Sequence, residues 1–287
     1  MQKVVGEVFK IIREAKGLTL KEVADNIVST AQLSRFERGI SGITIDIFYL
    51  CLKNMNVPLD EFQWVYHNYT QTLDIQFSTK LSEVYLNQDV TKIKSILKDC
   101  LQFEEENPDQ KLYRVKTIVV RAILFYCLPS EVVSNEDVQF LMDYLFSVEE
   151  WGRFELWIFT NTVGLMNVAS LELFTNEMVK RTQFYRDIPE NRKRILQMLL
   201  NVIEICIDRK QLKVAFRCFN YIDSFNIPET DLYERILIKF YRGFYEFQIG
   251  KDEAIKEMEK CANIMASLEC LGTAQHMKEK IEKLSQK

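Results

Sequence analysis

"STAQLSRFERG", residues 29–39, is the stretch on which the reading of this chain turns. Ser29 can cap a helix, because its hydroxyl accepts a hydrogen bond from a backbone N–H that has no partner inside the helix. Thr30, Ala31, Gln32 and Arg35 then share the outward face, while Leu33 and Phe36 turn inward at a three-residue helical spacing. Gly39 ends the helix. A short helix with small polar residues and an arginine on its exposed face is the kind that a helix-turn-helix domain lays in the DNA major groove.

The flanking residues build a domain around it. In "VVGEVFKIIREAKG" (residues 4–17), Val5, Val8, Phe9 and Ile12 fall on one helical face and Gly17 is the stop. Thr19 caps "LKEVADNI", and Glu22 stands at the capping-box position. A fourth helix from about Thr44 directs Ile47, Phe48, Leu50, Cys51 and Leu52 to the core, and Pro58 opens a fifth that closes near residue 67. Five short helices in this order, with "LSRFERG" in the third, resemble the Cro/repressor class. Two departures stand out: the turn Asn26-Ile27-Val28 lacks the usual glycine and is one residue shorter, and Leu20 replaces a glutamine that touches phosphate in that class.

Composition sets the limits. The chain has 287 residues, 47% of them hydrophobic, with only nine Gly and five Pro. So few turn residues favour long helices over a many-turned β fold. The net charge of -4 restricts any nucleic-acid contact to a local surface, and residues 1–66 are themselves neutral, with eight basic and eight acidic residues. Seven dispersed cysteines without a CxxC pair read as reduced, core-packing thiols of a cytoplasmic protein. No apolar run reaches the roughly 20 residues that span a bilayer, so no membrane role is expected and the Asn68-Tyr69-Thr70 sequon reads as coincidence.

Beyond residue 70 the chain becomes a succession of amphipathic helices. First helices of successive pairs begin near residues 72, 109, 151, 189 and 229, a period near 40 that marks a helical solenoid. The last pairs match best: Cys206, Ala215, Phe219 and Ile222 repeat in register as Tyr245, Ala254, Met258 and Cys261, the small-residue pattern of tetratricopeptide hairpins. A polar helix, Thr273 to Lys287, reads as the cap. The expected fold is all-α: a five-helix helix-turn-helix domain over residues 1–67, then a right-handed tetratricopeptide-like solenoid over residues 68–287.

Arg35 is the first candidate for a base edge, since arginine can donate twice to guanine; Gln32 suits adenine and Ala31 a thymine methyl, with Thr30 beside them. Arg38 suits phosphate. The competing reading pairs Arg35 with Glu37. In the array, Arg121, Asn161, Asn201 and Tyr241 recur about every 40 residues in successive first helices and define a column along the inner groove, where asparagines can clamp the backbone of an extended peptide. The competing reading has Asn161 and Asn201 bonded to neighbouring helices. Arg153, Arg194, Glu204 and Lys239 are further groove candidates. Trp151, Phe154, Trp157 and Ile158 read as core. Two isolated histidines, His67 and His276, and the lack of HExxH, GxSxG, Walker A or GxGxxG sequences leave no catalytic set, no metal site and no cofactor.

With "LSRFERG" at 33–39, "PLDEF" at 58–62 and "DYLFSVEEWGRFE" at 143–155, the chain resembles the Rgg/GadR/MutR regulators of Gram-positive bacteria over nearly its whole length. The resemblance implies a homodimeric cytoplasmic transcription regulator that binds double-stranded promoter DNA and, through its repeat domain, a short hydrophobic signalling peptide after import. It assigns DNA reading to Thr30, Ala31, Gln32 and Arg35, and peptide contact to groove residues such as Asn161 and Asn201. The alternative keeps the DNA-binding half and makes the array a protein-interaction scaffold without a peptide ligand.

Overall fold

The computed structural model describes residues 5–67, 73–183 and 186–285, and these form sixteen α-helices and no strand. The glycosylation sequon lies outside the described residues. The chain divides into two compact units, residues 1–82 and 83–287, so the division falls inside helix α6 (Leu73–Leu86), later than the end of the fifth helix.

In the first unit, α1 (Val5–Ala15), α2 (Leu20–Ala24), α3 (Thr30–Glu37), α4 (Ile45–Asn54) and α5 (Leu59–Tyr66) close over a core of Val8, Phe9, Val23, Leu33, Phe48 and Cys51. Thr19 and Glu22 form the expected capping box, and the Ser29 hydroxyl accepts from the Gln32 amide at 3.2 Å. Gly17 and Gly39 take φ of 69° and 70°. Each is followed by the paired backbone bonds of a Schellman motif, Leu18 to Arg13 and Ile40 to Arg35. Two expectations fail at the edges of helical faces. Val5 and Leu50 are exposed, at 37% and 44%. The inward place in α1 belongs to Gly6, where a Cβ would stand 1.9 Å from the Phe36 carbonyl oxygen.

The second unit stacks first helices on first helices. Here α8 (Lys111–Cys127) packs on α10 (Arg153–Thr162), α10 on α12 (Pro189–Asp208), and α12 on α14 (Leu232–Gln248). The second helices, in chain order, are α7 (Val90–Glu106), α9 (Asn135–Ser147), α11 (Val168–Arg181), α13 (Leu212–Asp223) and α15 (Ala254–Ser267), and α16 (Leu271–Ser285) ends the row. Observed starts at 73, 111, 153, 189 and 232 agree with the repeat read from the sequence. The short residues of the pattern allow close approach: a Cβ on Gly243 would press on Met258 at 2.8 Å.

Buried polar groups lock the irregular joints. The Tyr126 hydroxyl accepts from the Gly164 amide at 3.1 Å, and Arg209 donates to the carbonyls of Gly164 and Met166 at 2.9 and 2.5 Å. The motif "LFSVEEWG" is the end of α9 and the loop after it, tied to α11: Arg181 donates to the carbonyls of Phe146 and Val148, and the Trp151 amide returns a bond to the Arg181 carbonyl at 2.8 Å. Trp151 is core, as expected, at 1% exposure. The buried thiols are pushed up by desolvation, Cys100 and Cys206 to about 11 and Cys218 to about 12, which suits packing and not reactivity.

Besides Leu33 and Phe36, one buried ion pair fixes helix α3 to α1. Arg13 on α1 grips Glu37 on α3 with two bonds of 2.6 and 2.8 Å, and its third arm donates to the Leu18 carbonyl at 2.8 Å. Arg13→Met alone should therefore destabilise the first unit by about 3–5 kcal/mol in urea unfolding, because it strands the Glu37 carboxylate, and Arg13→Met with Glu37→Leu should recover most of that loss. Equal losses in the single and double variants would show that the pair is not what anchors the helix.

Candidate functional site

Helix α3 presents Thr30, Ala31, Arg35 and Arg38 to solvent and leaves Gln32 half-buried. Glu37 points the other way, 4% exposed on Arg13, so it is not the partner of Arg35. The Arg35 guanidinium meets no acid among the described residues, whereas Arg38 Nε donates back to the Ser34 carbonyl at 3.2 Å. The turn before the helix explains the missing glycine. Helix α2 stops at Ala24, earlier than the expected Ile27, and Asp25 and Asn26 take φ of 27° and 62°. Asparagine tolerates that left-handed region better than most side chains, so it performs the glycine's part. Leu20 is half-buried against the core and offers no phosphate donor.

In the repeat unit, the four residues of the column and Arg153 already have partners. Arg121 pairs with Asp137, which also holds Arg114. Arg153 pairs with Glu190 at 2.5 Å. Asn161 donates to the Trp157 carbonyl of its own helix at 2.7 Å. Asn201 donates across to the Thr160 carbonyl at 3.5 Å and accepts from Gln197 at 3.0 Å, so the neighbour-bonded alternative holds for its amide. Tyr241 is buried, with its hydroxyl 2.5 Å from Glu204. Asn201 and Tyr241 thus lie in seams between stacked first helices, whereas Asn161 bonds within its own helix and Arg121 to the helix that follows its own.

What periodicity missed is a polar stripe on α12. Glu190, Arg194, Gln197, Asn201, Glu204 and Asp208 follow spacings of three and four along a helix that is otherwise buried on ten residues. These spacings put them on one face. Its two ends differ in charge. Near one end Arg194 is half-buried and makes no side-chain hydrogen bond among the described residues; burial and the nearby charge of Arg153 lower its pKa, and the charge of Glu190 offsets them in part. At the other end the Glu204 carboxylate gathers the Tyr241 hydroxyl, Lys280 Nζ at 2.7 Å and His276 Nε2 at 3.3 Å. Lys280 also reaches Asp208 at 2.7 Å, so α16 is bound to α12 across the inner side of α14. Burial alone would raise the Glu204 carboxyl, but the hydrogen bond from His276 and the charges of Lys280 and His276 outweigh it and hold it at about 2. The aromatic stripe splits as well: Ile158 is buried beside Trp151, while Phe154 and Trp157 stack half-exposed at 5.9 Å.

No cluster of His, Cys, Asp or Glu among the described residues can hold a metal ion, and none of their helices is long and apolar enough to cross a membrane.

Residues 97–279 match the family described as HTH-type transcriptional regulator Rgg, C-terminal domain, and residues 9–62 match the helix-turn-helix family. Among solved structures, the chain is similar to the Streptococcus dysgalactiae SHP pheromone receptor Rgg2, at 25% identity and a TM-score of 0.82, over 97% of this chain and 99% of that one. A protein from Listeria monocytogenes EGD-e shares the fold at 22% identity and a TM-score of 0.85, over 99% and 98% of the two chains. PrgX in its complex with cCF10 does so at 14% identity and a TM-score of 0.76, over 98% and 99%.

The Glu204 cluster has a pH signature. A carboxyl depressed from 4.5 to about 2 contributes stability that is complete above about pH 4.5 and is lost as the pH falls toward 2. Glu204→Gln should thus be less stable than the parent by about 3 kcal/mol at neutral pH, with the gap closing as acid is added. A gap in urea midpoints that stays constant from neutral pH to about pH 3 would contradict the assignment.

Proposed function

The chain belongs to the Rgg family of helix-turn-helix transcriptional regulators, and on that premise we propose that it is a cytoplasmic DNA-binding homodimer controlled by a short imported signalling peptide held in the inner groove of its repeat unit. The observation that carries the peptide reading is the polar stripe of α12. A groove wall with a half-buried arginine near one end that has no hydrogen-bonded carboxylate, and half-exposed aromatic rings on the adjacent helix, suits an apolar peptide bearing one acidic side chain. Arg153 and Arg194 are the residues for that acid, and the remaining hydrogen-bonding capacity of Asn161 and Asn201 is available to the peptide backbone. Arg121 and Tyr241, committed to Asp137 and Glu204, act by holding the wall in place. The SHP pheromone receptor Rgg2 and the PrgX/cCF10 complex support the same reading by likeness.

At the DNA, Arg35 reads a base edge, Thr30, Ala31 and Gln32 assist it, and Arg38 lies along the phosphates. A dimer presents two such helices to half-sites about 34–36 Å apart or a multiple of that, which calls for a near-palindromic operator. The neutral charge of the first 66 residues makes dimerisation the source of affinity, since it doubles a small set of contacts. A peptide regulates this dimer only as far as it binds two arrangements of it unequally.

Two measurements test these roles. Arg35→Ala should lower affinity for a selected operator by about 1–3 kcal/mol and relax preference at one base pair; unchanged gel-shift affinity would remove Arg35 from base reading. In calorimetry with the full chain and a synthetic apolar octapeptide carrying one aspartate, Arg194→Gln should weaken binding by about 1.5–3 kcal/mol. The same loss with the aspartate replaced by asparagine in the peptide would show that Arg194 does not meet the acid.

A further inference from the structure

At the end of the stripe opposite Arg194, a cavity of about 490 Å³ opens between α12, α14 and α16. Its apolar lining is Ile207, Phe244 and Leu284, each less than 9% exposed. Three lysines stand around it, and their states differ. Lys280 is spent: Glu204 and Asp208 neutralise it, and its ammonium lies 5.4 Å from the Phe244 ring centre. Lys210 donates only to the neutral amide oxygen of Gln248, at 2.7 Å. Lys283 has no hydrogen-bond or ionic partner among the described residues. The wall of the cavity thus carries three ammonium groups against two carboxylates, Asp208 in the lining and Glu204 beside it, and both carboxylates sit on Lys280, so Lys210 and Lys283 leave a local excess of positive charge in a chain whose net charge is -4.

We propose that this cavity receives the C-terminal residue of the peptide ligand, with an aliphatic side chain against Ile207, Phe244 and Leu284 and the free carboxylate between Lys210 and Lys283. The proposal rests on the peptide reading above and deepens it. The volume is in the range of sites that enclose small ligands, and the lining sets three apolar side chains beside a larger group of polar and charged ones. The carboxylate is the group that the charges select: an amide or ester end offers no net charge to the excess of ammonium over carboxylate around the cavity, while a lysine or arginine end would be repelled.

The test uses the full chain and three small probes in ligand-observed NMR titrations: N-acetyl-leucine, N-acetyl-leucinamide and hexanoate. N-acetyl-leucine should bind with a millimolar Kd and the amide at least about tenfold more weakly. Lys283→Gln and Lys210→Gln should each weaken the acid about fivefold, the effect of one unit charge near 4 Å in water, and leave the amide unchanged. Both lysines are exposed, and thermal melts of the variants should match the parent. Equal binding of acid and amide, or an acid affinity indifferent to both substitutions, overturns the proposal. Hexanoate bound as tightly as N-acetyl-leucine overturns the assignment to a peptide end. The octapeptide separates the two readings. If it binds through Arg194 while N-acetyl-leucine fails, the cavity is not the terminal subsite and peptide control stands. If N-acetyl-leucine binds as stated while the octapeptides do not, peptide control falls and the carboxylate site remains.

Discussion

A helix buried on most of its surface can carry charge only where each charged group finds a partner, because stranding one costs several kcal/mol. Helix α12 lives under that constraint, and the organisation of the repeat unit follows from it. Ten of its residues are buried, so its polar groups are confined to one stripe and to its ends. Glu204 draws in Tyr241, His276 and Lys280. Arg192 and Lys193 share Asp231, and Arg209 is consumed by the carbonyls where α10 gives way to α11. The exceptions are then informative. Arg194 near one end of the stripe, and Lys210 and Lys283 at the rim of the cavity, are the cations this accounting leaves without a hydrogen-bonded carboxylate.

The first unit obeys the same rule on a smaller scale. Glu37 could be buried only because Arg13 meets it with a two-pronged bond, and the close approach of Gly6 to Phe36 brings the two helices near enough for that. The outcome is functional as well as structural. With Glu37 turned inward, α3 keeps Arg35 free on its outer face and shows no acid beside it, so a domain with no net charge still presents a locally basic surface.

Features held by bonds between near neighbours were legible in the sequence: the Ser29 cap, the Thr19–Glu22 box, the two glycine stops and the 40-residue repeat. The end of α2 was not, because Asn26 fills a left-handed position that pattern reading reserves for glycine. Val5 and Leu50 sit at the margins of their helical faces, where periodicity cannot say which side of the boundary a residue takes. The column of Arg121, Asn161, Asn201 and Tyr241 had the right spacing, yet the bonds that occupy it depend on rotamers and on residues such as Asp137 that follow no repeat. The Glu204 cluster lay furthest from view, since Lys280 reaches Asp208 across 72 residues of sequence. Its one local trace was the three-and-four spacing of polar residues on α12.

A DNA-reading helix on a neutral domain and a charged, half-buried groove in a repeat unit form a regulator only if the groove speaks to the DNA. Operator affinity of the full chain, measured by fluorescence anisotropy on a selected palindromic duplex with and without a saturating pool of apolar octapeptides carrying one aspartate and a free carboxylate, tests that most directly. Coupling between two sites is typically about 1–3 kcal/mol, so the predicted result is a change in operator Kd of at least about fivefold that disappears with the asparagine, C-terminally amidated pool. An operator Kd unchanged by a peptide pool that calorimetry shows to be bound would contradict the account.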